Sequence, residues 1–232
     1  KFNGINYYGY KGDTLASALL SNNVHLIGRS FKYHRPRGIM TAGSEEPNAI
    51  VQLNNKSEFT EPNVRATEIE IYEGLEAQSQ NCWPNVNFDI GGINNLLAPV
   101  LPAGFYYKTF MWPPKFWKIY EYFIRHSAGL GKSPKNKDKE IYDHRYIHCD
   151  VLIVGGGLAG IMAAKISAKN GYKTLIVDEN PNLGGSTIYQ NSNLQEMDYK
   201  SPAAWIEKEI EEIKNLENLK IKTRTSVAAF HG

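Results

Sequence analysis

Cysteine, an excess of one charge and long apolar runs are all missing from this 232-residue chain. The two cysteines, Cys82 and Cys149, form no CxxC motif, so we expect neither a disulfide framework nor a zinc site, and a reducing cytoplasm fits best. Twenty-six basic and twenty-four acidic residues leave a net charge of +2, which gives no reason to expect nucleic acid or an anionic membrane as partner. No apolar run approaches the roughly 18–20 residues that a membrane span needs.

The residues that are abundant predict a globular protein of one to two domains. Hydrophobic residues make up 42% of the chain and charged residues 22%, which is typical of a protein that buries a core. Residues 1–95 predict an α+β domain. Its long polar loop from Arg29 to Pro47 contains no cysteine. Its predicted elements are a strand over residues 1–8, a helix from an Asp13 N-cap to about Asn22, an extended stretch at Val24–Ile27, and strands at Ala49–Leu53 and Ala66–Tyr72.

Residues 96–148 read as an aromatic-rich connector. Ten aromatic residues lie between positions 105 and 123, interspersed with prolines. This density is too apolar for a free linker and predicts packing against another domain or another subunit. Within this region, residues 129–140 are rich in Lys, Gly and Ser and are expected to be mobile.

From residue 149 to residue 232 the pattern alternates between strand and helix, which predicts the first part of a doubly wound α/β domain. The apolar run Val151–Val154 predicts a strand buried on both faces, and a helix over Leu158–Lys169 follows it. Further elements are a stop at Gly171, a strand at Thr174–Val177, a helix that begins at Ser201-Pro202, and a strand at Leu219–Val227.

A dinucleotide fingerprint, Gly155-x-Gly157-x-x-Gly160, joins the first of these strands to its helix. Gly155 permits a tight turn, Gly157 lets the backbone approach a pyrophosphate, and Gly160 lets helix and strand pack closely. The amides of Leu158 and Ala159 and the positive end of the helix dipole would then face the phosphates. The alternative is a glycine-rich turn that binds nothing.

The second strand of this region is followed by two acids, Asp178 and Glu179. A carboxylate at this place accepts hydrogen bonds from ribose hydroxyls and repels a 2′-phosphate, which argues against NADP. We favour Glu179, although either acid fits the spacing. The pair Gly184-Gly185 either flanks the same nucleotide or forms a simple turn. The fingerprint by itself does not distinguish FAD from NAD.

Other candidate sites are weaker. A basic group in the cysteine-free loop either binds an anion or forms a hydrogen-bonded loop, and we favour the second interpretation; it consists of Arg29, Lys32, His34, Arg35 and Arg37. His126, His144 and His148 lack metal-ligand spacing, so no metal site is predicted. No catalytic residue is predicted on this chain.

Several segments together resemble the alpha subunit of heterotetrameric sarcosine oxidase. They are GDTLASALL, GRSFKYHRPRG, AGSEEPNA, FYYKTFMWP and HCDVLIVGGGLAG, and they run over essentially the whole chain. The resemblance implies a ferredoxin-like β-grasp domain without its iron–sulfur cluster, followed by the start of a Rossmann-type FAD/NAD(P)-binding domain. It also implies that the chain is an N-terminal fragment of a larger subunit.

The resemblance further implies the cofactors and partners. NAD would bind to this chain, FAD and FMN would be associated with the beta subunit, and tetrahydrofolate would bind only in a C-terminal region beyond residue 232. The partners would be the beta, gamma and delta subunits, and the substrate would be a small amine, sarcosine, which is demethylated oxidatively to glycine. Two alternatives remain open: a different secondary-amine dehydrogenase, such as one acting on N-methylglutamate, and a non-catalytic scaffold with a structural nucleotide.

Overall fold

The computed structural model describes residues 1–54, 60–99, 112–127, 129–190 and 201–229. The chain divides into two compact units, Lys1–Ile141 and Tyr142–Gly232, and each is described by itself. The helices are α1 (Leu15–Ser21), α2 (Trp117–Ser127), α3 (Leu158–Lys169) and α4 (Pro202–Lys214). The strands are β1 (Gly28–Arg29), β2 (Pro36–Arg37), β3 (Ile50–Asn54), β4 (Thr60–Arg65), β5 (Ala77–Ser79), β6 (Val151–Val154), β7 (Thr174–Val177) and β8 (Leu219–Lys222).

The core of the first unit lies between α1 and an antiparallel sheet with the strand order β4-β3-β5. Helix α1 buries Leu15 and Leu19, and the central strand β3 buries Val51 and Leu53 in the same cluster. The burial of these apolar side chains away from water is the main favourable contribution to the stability of the unit. The mixture of helix and antiparallel strands agrees with the predicted α+β class.

Helix α1 begins one residue later than predicted, because Thr14 caps it in place of Asp13. The Thr14 hydroxyl accepts from the Ser17 N–H at 3.1 Å, and the Ser17 hydroxyl accepts from the Thr14 N–H at 2.9 Å. This reciprocal pair is a capping box, which satisfies two amides at once. The Asp13 carboxylate accepts from the Tyr10 N–H and the Ser17 hydroxyl, each at 2.8 Å.

Two predicted strands of this unit are wrong, and one predicted extended stretch leads into a strand. Residues 1–8 form no strand, because a turn at Asn3 and Gly4, both with positive φ, reverses the chain. Residues 24–27 run directly into β1, and the Ile27 N–H donates to the Arg37 carbonyl at 2.9 Å. Residues 66–72 hold a turn and one isolated bridge, and the strand β4 comes before them. Strand β4 contains Pro62, which is tolerated because β4 lies at the edge of its sheet.

The start of the predicted mobile connector is held against the sheet of the first unit. The buried Gln52 side chain donates to the Lys132 carbonyl at 2.9 Å and accepts from the Lys132 N–H at 2.6 Å. Gln80 reaches the Gly129 carbonyl at 3.5 Å. The expectation of mobility is therefore wrong for residues 129–132, because two glutamines that the pattern did not single out bind their backbone.

The second unit is built from two consecutive strand–helix–strand connections. Strands β6, β7 and β8 are parallel neighbours in that order, and α3 and α4 pack on them. The two helices bury Ile161 and Ile206 in one cluster with Ile176 of β7. Ion pairs also connect the two helices: Lys165 of α3 lies 2.5 Å from Glu209 and 2.7 Å from Glu212 of α4.

The sequence predicted the bounds of β6, α3 and β7, and it overestimated two features. Leu152 and Val154 of β6 are 50% and 62% exposed, so this strand has one exposed face and one half-buried face. It is an edge strand in the described part of the unit. Strand β8 ends at Lys222 and does not continue to residue 227, because Arg224 has a positive φ and turns the chain. No helix among the described residues is long and apolar enough to cross a membrane.

Candidate nucleotide-binding site

The fingerprint glycines lie where β6 gives way to α3. Gly155 has a φ of +98°, which only glycine adopts without strain, and its N–H donates to the Val177 carbonyl of β7 at 2.8 Å. The turn therefore begins in a fixed position relative to two strands. Gly157 is the N-cap residue of α3 and supplies no side chain to cap the helix. The amides of Leu158 and Ala159 consequently begin the helix without an intrahelical acceptor.

Gly157 and Gly160 meet different surroundings. None of the residues that the structure describes would have an atom within 4 Å of a Cβ atom built on Gly157, so among them the space beside this residue is open. A Cβ atom on Gly160 would overlap the carbonyl oxygen of Gly155. Gly160 is thus required by the packing of the helix on its own turn. Gly157 is required only if a ligand occupies the open space.

Asp178 is the acid that contacts the glycine loop. Its carboxylate, which is 7% exposed as a residue, accepts from the Gly156 N–H through one oxygen. The other oxygen accepts from the backbone N–H of Asn180 at 2.7 Å and from its side-chain amide at 3.0 Å. Glu179 follows with an exposed side chain. The sequence favoured Glu179 of the two acids, whereas the acid that contacts the loop in the structure is Asp178.

Gly184 and Gly185 are brought against the same loop. Both have positive φ, of +118° and +54°, and the Gly184 N–H donates to the Gly156 carbonyl at 2.7 Å. A Cβ atom on Gly185 would approach the Gly157 Cα to 3.1 Å. The pair thus lies beside the predicted pyrophosphate position, as expected if it flanks the nucleotide.

Two further residues beside the site, Gly156 and Thr225, were not singled out from the sequence pattern. Gly156 is confined between Leu183 and Asp178, and a Cβ atom there would overlap the Leu183 side chain. Thr225 donates its N–H to the Asp178 carbonyl at 2.8 Å, which ties the segment after β8 to the acid. Gly156, as the middle glycine of the run GGG, carries a local signal of this crowding, whereas nothing local marks Thr225.

The geometry fits the adenosine and pyrophosphate part of a dinucleotide. An open glycine, uncapped amides at a helix N-terminus and a nearby carboxylate are the three features that this part of a nucleotide requires. The histidines considered as metal ligands do not change this assignment. Among the residues that the structure describes, no three His, Cys, Asp or Glu side chains are gathered to hold a metal ion.

The basic loop of the first unit uses its side chains internally. Arg29 donates to the Val86 carbonyl at 2.8 and 2.6 Å, and His34 pairs with the buried Asp89 at 2.7 Å. Arg35 donates to the Asn95 side chain at 2.7 Å. These contacts favour the hydrogen-bonded loop over an anion site.

Two family models match the chain, one in each unit. Residues 1–82 match a 2Fe-2S iron-sulfur cluster binding domain, and residues 150–227 match an FAD dependent oxidoreductase family. The first match agrees with the predicted ferredoxin-like fold and the second with the predicted Rossmann-type start.

Individual relatives extend over almost the whole chain. The sarcosine oxidase subunit alpha of Rhizobium meliloti is 47% identical over 99% of this chain and 23% of its own length. That of Corynebacterium sp. strain U-96 is 30% identical over 94% of this chain and 18% of its own length. The chain thus spans about a fifth of the length of these relatives.

A solved structure supports the fold. The superposition on the crystal structure of L-proline dehydrogenase from P. horikoshii covers 96% of this chain and 32% of the length of that chain. The TM-score is 0.52 and the sequence identity is 20%. At this identity the likeness concerns the fold alone. The resemblance inferred from the sequence is confirmed: the chain is a relative of the alpha subunits of sarcosine oxidase, along nearly its whole length and in both of its units.

Proposed function

We propose that this chain is the NAD-binding part of an oxidoreductase subunit acting on CH–NH donors, in a sarcosine oxidase-like complex. The complex would demethylate sarcosine oxidatively to glycine, and the flavins FAD and FMN would be associated with a partner subunit. The observation that carries the proposal is the open space beside Gly157 at the N-terminus of α3, in a chain that is 47% identical to a sarcosine oxidase subunit alpha.

The residues around Gly157 would have different roles in binding the nucleotide. The amides of Leu158 and Ala159, with the positive end of the α3 dipole, would hold the pyrophosphate. Gly157 would admit it, and Gly184 and Gly185 would border it. Gly155 and Gly160 would give the loop its shape.

Asp178 is better placed than Glu179 to accept from the ribose hydroxyls. Its carboxylate already accepts a hydrogen bond from Gly156 of the loop. With the two from Asn180 it accepts three hydrogen bonds, and an ionised carboxylate has about four acceptor positions. The exposed Glu179 would lie at the rim, where its charge would disfavour a 2′-phosphate. Both assignments concern the half of the nucleotide that NAD and FAD share.

The identity of the nucleotide decides what the chain contributes. A bound nicotinamide nucleotide supplies hydride transfer, whereas this chain supplies binding and orientation. The assignment of NAD rests on the resemblance, while the family model over residues 150–227 carries FAD in its name. The beta, gamma and delta subunits and a cytoplasmic location belong to the same proposal; Cys82 and Cys149 are both free thiols, as a reducing compartment requires.

The test is to purify the full polypeptide with its co-purifying subunits and identify the nucleotides released on denaturation by mass spectrometry. We expect NAD in a 1:1 ratio to this chain, and its loss in a Gly157→Val variant without loss of flavin. FAD that disappears in the Gly157→Val variant would move the flavin onto this chain and contradict the assignment of NAD.

Substrate choice is tested separately with the same preparation. Sarcosine, N-methylglutamate and proline are offered in turn, and reduction of the bound flavin is followed by its absorbance. Reduction by sarcosine is the expected result. Reduction by N-methylglutamate alone would favour the other secondary-amine dehydrogenase, and no reduction by any amine would favour the scaffold.

A further inference from the structure

The loop of the first unit that lacks cysteine is built around one buried carboxylate, that of Glu46. The residue is 1% exposed, although glutamate is rarely found inside a protein. One carboxylate oxygen accepts from the N–H groups of Met40 and Thr41 at 2.7 and 2.6 Å and from the Thr41 hydroxyl at 3.2 Å. The other accepts from the N–H groups of Asn48 and Ala49 at 2.8 and 3.0 Å. Five donors therefore converge on one side chain from both ends of the loop.

This arrangement keeps Glu46 ionised. Burial by itself would raise the pKa of its carboxyl, but the hydrogen bonds from the four backbone amides outweigh burial and hold the pKa below its usual value. The backbone of Glu46 is fixed as well. Its N–H donates to the Gly43 carbonyl at 3.1 Å, and its own carbonyl accepts from the Arg65 guanidinium of β4 at 3.1 Å. The anion is thus anchored to the loop and to the sheet.

The residues present do not fit a [2Fe–2S] cluster, which the family model over residues 1–82 carries in its name. Such a cluster is held by four ligands, of which at least two are cysteine thiolates. The first unit contains Cys82 as its one cysteine, and this residue lies outside the loop. Burial, and then the charge of Asp89, raise the pKa of the Cys82 thiol, which disfavours the thiolate that metal binding requires.

We propose that the Glu46 carboxylate is the internal anion around which residues 40–49 are organised, in place of a cluster. In a cluster-binding loop, backbone amides donate to the sulfurs, and the charge of the cluster orders the loop. Here a side chain of the loop itself supplies the negative charge, and four amides of the loop donate to it without a metal. The last of the hydrogen bonds to Glu46 comes from Ala49, directly before the central strand β3, so the carboxylate also fixes where that strand begins.

The consequence is a ferredoxin-like unit that takes up no iron. Its loop amides at both ends are occupied by a group that cannot leave, because it is covalently part of the chain. The unit then contributes shape and surface, and its loop contains a buried glutamate and no cysteine. The inference concerns the first unit and does not depend on which nucleotide the second unit binds.

The test uses the full polypeptide with its co-purifying subunits and hydrogen exchange of the loop amides, read by mass spectrometry. In Glu46→Ala we expect exchange over residues 40–49 to become about 10- to 100-fold faster, which is the range expected for loss of charge-assisted hydrogen bonds. Acetate replaces the atoms that this substitution removes, so millimolar acetate should slow the exchange again, whereas the neutral acetamide should not. Glu45→Gln, which removes the neighbouring exposed carboxylate, is the matched control and should leave exchange unchanged.

Unchanged exchange in Glu46→Ala would overturn the proposal, and so would equal rescue by acetamide. If Glu46→Ala does not fold, the wild-type protein decides. Its amides at Met40, Thr41, Asn48 and Ala49 should be protected although they lie outside every helix and strand, and their unprotected exchange would overturn the proposal. Anaerobic incubation of the wild-type protein with iron and sulfide should leave it free of cluster; stoichiometric [2Fe–2S] uptake would also overturn it.

Discussion

Backbone amides converge in two loops of this chain, and the loops differ in what lies between the amides. In the second unit the loop between β6 and α3 leaves open space beside Gly157, and no side chain caps the helix. In the first unit the loop over residues 40–49 encloses the carboxylate of Glu46. The first arrangement is suited to an anion that arrives from outside, and the second already contains its anion.

The comparison shows how a loop is committed to binding or to structure. A loop whose amides bind an external ligand needs glycine, since any side chain would occupy the ligand's position. Such a loop must also be held in position, and here the Asp178 carboxylate does this by accepting from the Gly156 N–H. Amides that have an internal acceptor need one acidic side chain of the right length, and no space has to stay open for a ligand. The charge of Glu46 therefore stabilises the fold, whereas the charge of a bound pyrophosphate would contribute only when the nucleotide is present.

The largest effect is expected where a glycine is required by packing. Gly160→Val places a side chain on the Gly155 carbonyl oxygen, and we expect the free energy of unfolding of the second unit to fall by about 3 kcal/mol. Chemical denaturation of nucleotide-free protein, with hydrogen exchange of β6 and α3, measures this. Gly157→Ala is the control, with a change of about 1 kcal/mol or less. Equal losses in both variants would mean that the two glycines do not differ as described.

A similar loss is expected in the first unit when the Glu46 charge is removed. Glu46→Gln turns one acceptor oxygen into an NH₂ group that faces amide donors, so we expect a loss of about 2 kcal/mol, again by chemical denaturation. Because the folded-state pKa of Glu46 lies below its usual value, its stabilising contribution is complete above the pKa of the unfolded chain. It is lost as the pH falls through the folded-state pKa. Stability of Glu46→Gln should therefore depend less on pH in the acid range, and an unchanged acid dependence would contradict this.

A smaller effect should separate Asp178 from Glu179. Asp178→Asn weakens the contact to the Gly156 N–H, and we expect nucleotide affinity to fall by about 10-fold, since the loop loses its fixed position. Glu179→Gln should leave NAD affinity within about 2-fold while it relaxes the exclusion of NADP. Titration calorimetry with both nucleotides measures this. The reverse order of the two effects would restore Glu179 as the ribose acid.

The smallest effect concerns the ion pairs between α3 and α4. Hydrogen bonds from Lys165 and then Lys169 lower the pKa of Glu212 to about 2. The contribution of these pairs is complete above 4.5, the ordinary pKa of a glutamate carboxyl, and fades as the pH falls toward 2. Glu212→Gln should make acid unfolding of the second unit slightly less steep, with little change at pH 7, because the group is exposed. A large loss at pH 7 would be the contrary result.

Local signals explain what the sequence predicted well. The bounds of β6, α3 and β7 follow from an apolar run, a glycine turn and a helical pattern that ends at Gly171, and each of these signals lies within a few residues of the element it marks. The fingerprint glycines could be assigned roles for the same reason. The sequence favoured Glu179, although the spacing fits both acids; that Asp178 is the acid turned toward a loop 22 residues earlier depends on a contact that spacing does not reveal.

Non-local contacts explain what the sequence missed. Strand β4 contains Pro62 and little apolar pattern, and it exists because it pairs with β3. Lys132 is held by Gln52, 80 residues away, so its segment was mistaken for a mobile one. Glu46 lies in the segment AGSEEPNA, which carried the resemblance but no predicted chemical role, and its role is visible only once the loop has closed around it.

The central claim is that the open space beside Gly157 is a ligand's place and not a feature of the fold. The most direct measurement compares Gly157→Val with wild-type in the full polypeptide, by nucleotide content after denaturation and by hydrogen exchange of β6 and α3. We predict loss of the bound nucleotide with exchange in these elements close to that of nucleotide-free wild-type protein, because the Cβ of the new side chain meets no atom of the part of the chain that the structure describes. Stoichiometric nucleotide in a folded Gly157→Val protein would contradict the account.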